Sequence, residues 1–250
     1  MSRLFMRKKS STTTSDDAEH WISTSDLMTG LMMVFLFISI AFMRHAYQER
    51  DQMKEVQNQM RDIAVAYEST QDSIYSALMD EFKEDLPKWS AKIHRDDLSI
   101  EFTDMEILFE VGSAKLKPGF KTVLDNFFPR YMERLAQFKE NITEIRIEGH
   151  ASTYWNATTS PDEAYTKNMI LSQARTRSVL FHIQTIPEMQ SQKDWVRQHM
   201  AAIGFSSSHA VRDRHGRENA EASRRVTFRV LTNADLQIRK ILNKYNESSR

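Results

Sequence analysis

The chain has 250 residues, and its 34 Lys plus Arg balance 34 Asp plus Glu, so no net charge recruits nucleic acid. Cysteine is absent, which excludes disulfides and thiolate metal sites, and the six glycines form neither GxxxxGK[ST] nor GxGxxG, so no nucleotide cradle is present.

The first element is an apolar run. Arg3, Arg7, Lys8 and Lys9 lie in a Ser/Thr-rich tail, residues 1–20, and from Leu27 to Met43 no residue is charged. As one helix, Ile22 to Met43 is about 33 Å long, enough to cross a hydrocarbon core of about 30 Å. We assign a membrane helix to residues 21–43. A secretory signal is the competing assignment, but Ser10 to Glu19 separates the basic residues from an apolar run that is long for such a signal. Four basic residues before the span against Arg44, Arg50 and Lys54 after it slightly favour a cytoplasmic N-terminus.

Asp26 stands at the entry to this run. An ionised side chain at membrane depth costs roughly 3 kcal/mol or more, and such acids mark ion pathways. The alternative is an acid near the interface, one and a half turns after Trp21, stabilised by the helix dipole. Thr29 and Gly30 follow at i+3 and i+4, where a hydroxyl and a small residue suit helix packing more than lipid contact.

Residues 44–97 follow as an expected helical linker, free of proline and glycine from Arg44 to Leu86. Met53, Val56, Met60, Ile63, Tyr67, Thr70, Ile74 and Ala77 alternate by three and four, the spacing of a coiled-coil seam in a homodimer or of one helix lying on its own domain.

Residues 98–233 read as a mixed α/β domain. Strands are expected at Leu98–Thr103, Glu106–Val111, Thr143–Gly149 and Arg225–Val230. Pro118 opens a helix that Pro129 should break or kink, and Asn168 to Gln184 is a second helix. Met200 to Glu221 is taken as a loop over a ligand site; its Ser, His and Asp residues lack the turn a hydrolase nucleophile needs. A C-terminal helix and tail occupy 234–250, starting at Ala234.

Four ordered segments then acquire a meaning together. Leu108-Phe-Glu-Val-Gly-Ser-Ala-Lys-Leu-Lys-Pro118, Ile145-Arg-Ile-Glu-Gly-His150, Asn168-Met-Ile-Leu-Ser-Gln-Ala-Arg175 and Arg224-Arg-Val226 resemble the landmarks of OmpA-like peptidoglycan-binding domains. Trp21 and Asp26-Leu-Met-Thr29, with the Met/Phe-rich run behind them, resemble the membrane helix of MotB-type stator subunits, most of all those of Zorya anti-phage defence systems. The resemblance implies a membrane-anchored α+β protein with one transmembrane helix, a coiled-coil-like linker and an OmpA-like domain. It implies a homodimer inside a ring of five MotA-like membrane subunits, with the N-terminus cytoplasmic and the domain periplasmic. Asp26 would carry H⁺ or Na⁺, supported by Thr29 and Gly30, with no other cofactor, no enzyme activity, no direct nucleic-acid contact and cytoplasmic effectors reached indirectly. Asn168, Leu171, Arg175 and Arg224 fall on the family's wall-binding positions. Ser152 stands where the family has an Asp, so either an acid from the long Thr153–Lys167 loop, which carries Asp162 and Glu163, replaces it or wall binding is altered. A flagellar-type stator and a passive wall tether in which Asp26 is only structural are the alternatives.

Overall fold

A five-stranded sheet carries the C-terminal part of the chain, with strand order β1-β2-β5-β3-β4. The computed structural model describes residues 13–234 with Ile238, Ile241 and Asn243, and side chains from Leu27 onward. The 1–12 tail, the side chains of Trp21 and Asp26, and most of the expected C-terminal helix lie outside the described residues.

By its contacts the chain divides into residues 1–59 and 60–250. The first unit is helix α1, Thr13–Phe82, as far as Gln59. Its apolar window has a mean hydropathy of 2.0, and none of it is buried. Exposed side chains lie on every side of this stretch, from Leu27 and Met32, both at 73%, to Ile38 at 46%. A helix that is apolar all round is stable only where lipid or other helices cover it.

In the second unit the remainder of α1 packs on the domain. Ile74, Leu78 and Phe82 are fully buried in its core, whereas Tyr67 is exposed. The C-terminal end of the expected coiled-coil seam is therefore no seam between chains: Ile74 is covered by its own domain. Arg130 clamps the helix end, donating to Glu81 at 2.7 Å and Asp85 at 2.9 Å, and Arg134 donates to Glu81 at 2.5 Å. The hydrogen bond from Arg130, then that from Arg134, holds the Glu81 carboxyl below its usual range against the opposing effect of burial.

α1 stops at Phe82, and Ala91–His94 already forms strand β1, paired antiparallel with β2 (Ser99–Phe102). The helical linker thus does not extend to residue 97. The strand expected at 106–111 is also absent. Asp104 accepts hydrogen bonds from the backbone N–H groups of Glu106 and Ile107 and so opens a one-turn helix, α2 (Met105–Leu108), leaving only a bridge between Phe109 and Leu116.

Helix α3 (Pro118–Leu135) starts at the expected proline, and it runs through Pro129 without a break. The interior proline costs about 3 kcal/mol. That is offset because Phe127, Phe128, Tyr131 and Met132 around it are fully buried, each contributing about 1.5–3 kcal/mol. Phe127 is the hub, with ring centroids 5.1 Å from both Tyr131 and Phe228, 5.2 Å from Phe82 and 5.4 Å from Phe102.

Strand β3 (Ile142–His150) lies between β5 (Arg225–Thr232), antiparallel, and β4 (Met200–Ser206), parallel. Helix α4 (Pro161–Ile183), followed by a 3₁₀ turn and α5 (Lys193–His199), makes the crossover between β3 and β4. Met200–Ser206 is a strand, so only the remainder of the 200–221 segment is irregular apart from the one-turn helix α6 (Ala220–Ser223). Alternation sorts the faces: Ile100, Phe228 and Ile147 line up across the sheet on the core side, and Glu101, Thr227 and Glu148 on the other.

Candidate functional site

The first candidate centre is Asp26. Its backbone is helical within α1, and its side chain is not among those described. Thr29 is exposed, and a Cβ placed on Gly30 would meet nothing within 4 Å.

The second centre forms where β3 ends against α4. Gly149 and Gly204 are partners in the β3–β4 register, and α4 crosses directly above them. A Cβ on Gly204 would lie 2.5 Å from the backbone nitrogen of Gln173, and one on Gly149 would lie 2.8 Å from the carbonyl oxygen of Ser172. Two adjacent glycines therefore allow the helix backbone to touch the sheet. This contact fixes the height of Asn168 and Arg175 on α4.

Asn168 is buried and donates through Nδ2 to the carbonyl of Ser152 at 2.9 Å and of Tyr154 at 3.5 Å. Ser152, also buried, donates its hydroxyl to the Tyr154 carbonyl at 3.3 Å. The sequence-predicted Asn168 and Ser152 thus meet, and their shared work is to set the path of the loop after β3. Leu171 is half-buried on the next turn.

One turn further, the Arg175 guanidinium lies 4.9 Å over the Phe109 ring and donates through Nε to the Ser113 carbonyl at 3.0 Å. Burial, and secondarily the positive charge of Arg224, pushes its pKa down to about 10, so it stays cationic at neutral pH. No carboxylate among the described residues is paired with it. A planar cation held by stacking and by one nitrogen has its remaining N–H groups available for an anion, and its geometry suits a carboxylate. Arg224 is exposed.

An acid that sequence reading missed is bound to the residue after Ser152. Glu218 accepts from the Thr153 backbone N–H at 3.0 Å and from the Thr153 hydroxyl. It arrives from a turn closed by the Arg212–Glu218 bridge and capped by Asp213. The acids Asp162 and Glu163 are in the first turn of α4, and Glu163 pairs with Lys167 at 2.7 Å. Nothing in the local sequence of Glu218 marks it, because 65 residues separate it from Thr153.

Below the site, His150 is buried beside Glu148 at 3.5 Å and stacked on Phe205 with centroids 5.3 Å apart. Burial, with smaller contributions from Arg225 and His209, lowers its pKa against the opposing pull of Glu148. A histidine held neutral in the fold contributes stability that is complete above its unfolded pKa, near 6.5, and is lost as pH falls from there toward the folded value. Melting of the protein should accordingly drop between pH 7.5 and 5.5, and His150→Gln should flatten that slope. An unchanged slope in the variant would assign the pH dependence to other groups.

A long apolar helix joined to an α/β domain in which an Asn/Arg helix is pressed on a Gly-His strand is the arrangement that the resemblance to MotB-type and OmpA-like proteins implies. The chain belongs to the ZorB family: it is 51% identical over 228 residues to the Zorya protein ZorB of Escherichia coli, covering 91% of this chain and 94% of that protein. No protein-family model matches it. Similar solved structures include a MotB-like protein from Desulfovibrio vulgaris (18% identity, TM-score 0.48, 69% of this chain and 98% of that one). The cell wall anchor of the T6SS from Pseudomonas aeruginosa follows (19%, 0.43, 62% and 96%), and the periplasmic domain of Helicobacter pylori MotB is more distant (13%, 0.41, 58% and 84%).

Proposed function

We propose that the chain is the wall-anchored B subunit of an ion-driven rotary motor of the MotB type, acting in Zorya anti-phage defence. The observation that carries this reading is the position of Asp26 at the head of an uncharged, wholly exposed stretch of α1 in a member of the ZorB family. An apolar surface of that extent needs lipid and helical partners, and a single span cannot bury its own carboxylate. Two copies within a pentameric MotA-like, ZorA-type ring in the inner membrane supply the cover, with the domain in the periplasm. Protonation then alternates Asp26 between a neutral form tolerated against the ring and a charged form facing a water path, one ion per cycle.

The domain grips the wall peptide. Arg175 takes the free carboxylate of the diaminopimelate side chain, Glu218 supplies the acid that Ser152 does not, and Asn168 holds the loop between them. Sedimentation of the purified full-length protein with peptidoglycan sacculi tests this. Arg175→Ala should lose binding by on the order of 30-fold or more, the cost of leaving a desolvated carboxylate unpaired, and Arg175→Lys should recover only part because a point charge replaces a fork. If Arg175→Ala sediments like the wild type, Arg175 is not part of the wall site.

A further inference from the structure

The chain leaves its last strand at a fixed point beside α1. Asn233, the residue after β5, donates its backbone N–H to the Asn141 carbonyl and its side-chain amide to the Glu140 carbonyl, both at 2.9 Å. The next residue, Ala234, lines a cavity of about 130 Å³ together with Ile63, Tyr67 and Thr70 of α1. We propose that the C-terminal segment from Ala234 onward is a strap that lies along α1 and closes its apolar stripe at Met60, Ile63, Tyr67 and Thr70 within one chain. Closure withholds this stretch of helix from a second copy.

Two sets of residues carry the inference. On α1, Met60, Ile63 and Thr70 are half-buried, while Arg61, Asp62 and Glu68 between them are exposed. Spacings of three and seven place the half-buried set on one side of the helix. Neither Met60 nor Ile63 belongs to the domain core or packs against it, and the helix joins that core only at Ile74. The cover over the stripe therefore comes from something other than the sheet domain's core. In the C-terminal segment, Ile238 and Ile241 are helical and half-buried, and Asn243 is helical and exposed. Ala234, Ile238 and Ile241 fall at i, i+4 and i+7, which is one helix face, and Asn243 falls on the opposite side. Two apolar stripes, each half covered, thus converge on one cavity.

Attachment decides between the chain's own segment and a second copy. Ala234 already stands at the cavity wall, so Ile238 is one turn, about 6 Å, further along. A segment tethered that closely competes at an effective concentration in the millimolar range, roughly, and another chain's helix has to displace it. From Ile74 onward the domain occupies the helix, so the strap runs toward Met60. The result is a junction with two states. With the strap closed, the stripe at residues 60–70 is satisfied within one chain; with it open, the three-and-four spacing is available to α1 of a second copy.

The chain has no cysteine, so introduced pairs react alone. Full-length protein in detergent carrying Ile63→Cys with Ile238→Cys, treated with a short bis-maleimide, should run as an internally linked single chain. Ile63→Cys with Asn243→Cys should not link. Ile63→Cys alone should give little chain-to-chain product, and adding Ile238→Asp with Ile241→Asp should raise that product by about tenfold, through loss of a tethered competitor. A chain ended after Ala234 should behave as the doubly substituted one does. The strap is overturned if the Ile63→Cys, Ile238→Cys pair gives no internal link, or if Asn243→Cys links as readily. It is equally overturned if chain-to-chain linking at Ile63→Cys is the same with the segment intact, substituted or removed, because the segment then does not govern access to the stripe.

Discussion

Cells carrying Asp26→Asn in the native operon should lose protection against phage completely, while the variant still co-purifies with its membrane partner. Asn keeps the size and the hydrogen-bonding outline of Asp and removes only the ionisable proton. Where the side chain serves as a polar cap at the membrane face, Asn substitutes with a change of a few tenths of a kcal/mol. Where it carries an ion, Asn has no charged form, and the alternation between a neutral and a charged state stops. The two roles therefore predict opposite results for one substitution. Asp26→Glu keeps the titration and moves the carboxyl by one methylene, so protection should fall without vanishing. Assembly with full protection in Asp26→Asn would return the chain to a passive tether.

The sequence makes the long apolar helix legible because crossing lipid demands an uncharged stretch of a definite length, and residues 27–43 supply one. Strands β3 and β5 were equally plain. Each has one apolar face in the core and one polar face, so Ile145 and Ile147 alternate with Arg146 and Glu148, and Val226 and Phe228 with Thr227 and Arg229. β4 lacks that signature. Met200-Ala-Ala-Ile-Gly-Phe-Ser is an edge strand parallel to β3 whose residues are nearly all half-buried, and its sequence is set by how closely α4 approaches.

Two other differences come from competing partners, one local and one tertiary. Glu106-Ile-Leu-Phe-Glu-Val alternates like a strand, but the Asp104 cap gives the backbone a nearer partner than any strand could. The heptad spacing in α1 says nothing of what covers it: of its positions Ile74 is buried, while Met53 and Tyr67 are exposed. Ile74 and Leu78 meet their own domain. At the candidate site, Asn168 and Arg175 were legible through their motif. Glu218 was not, because it reaches Thr153 only through the turn at Asp213 to Gly216, where φ at the glycine is +77°.

That close approach of α4 yields the second large effect. Gly204→Ala should lower the melting temperature by about 5–10 °C, corresponding to about 1–3 kcal/mol of overpacking in a domain of this size. The added methyl would meet the backbone of Gln173 and the hydroxyl of Ser172 at 2.5 and 2.6 Å, and no rotamer change moves a backbone nitrogen. α4 must shift outward instead. Asn168 then leaves the Ser152 carbonyl and Arg175 leaves Ser113, so sacculus binding should weaken along with stability. Gly119→Ala provides the contrast: it lies in the first turn of α3 with nothing within 4 Å of the new methyl, and it should be neutral or slightly stabilising through the unfolded chain. If the two variants melt alike, the glycine contact is not what seats α4. If Gly204→Ala is destabilised yet binds sacculi at the wild-type level, the placement of Arg175 does not depend on the height of this helix, and the wall site would have to be sought on the loops alone.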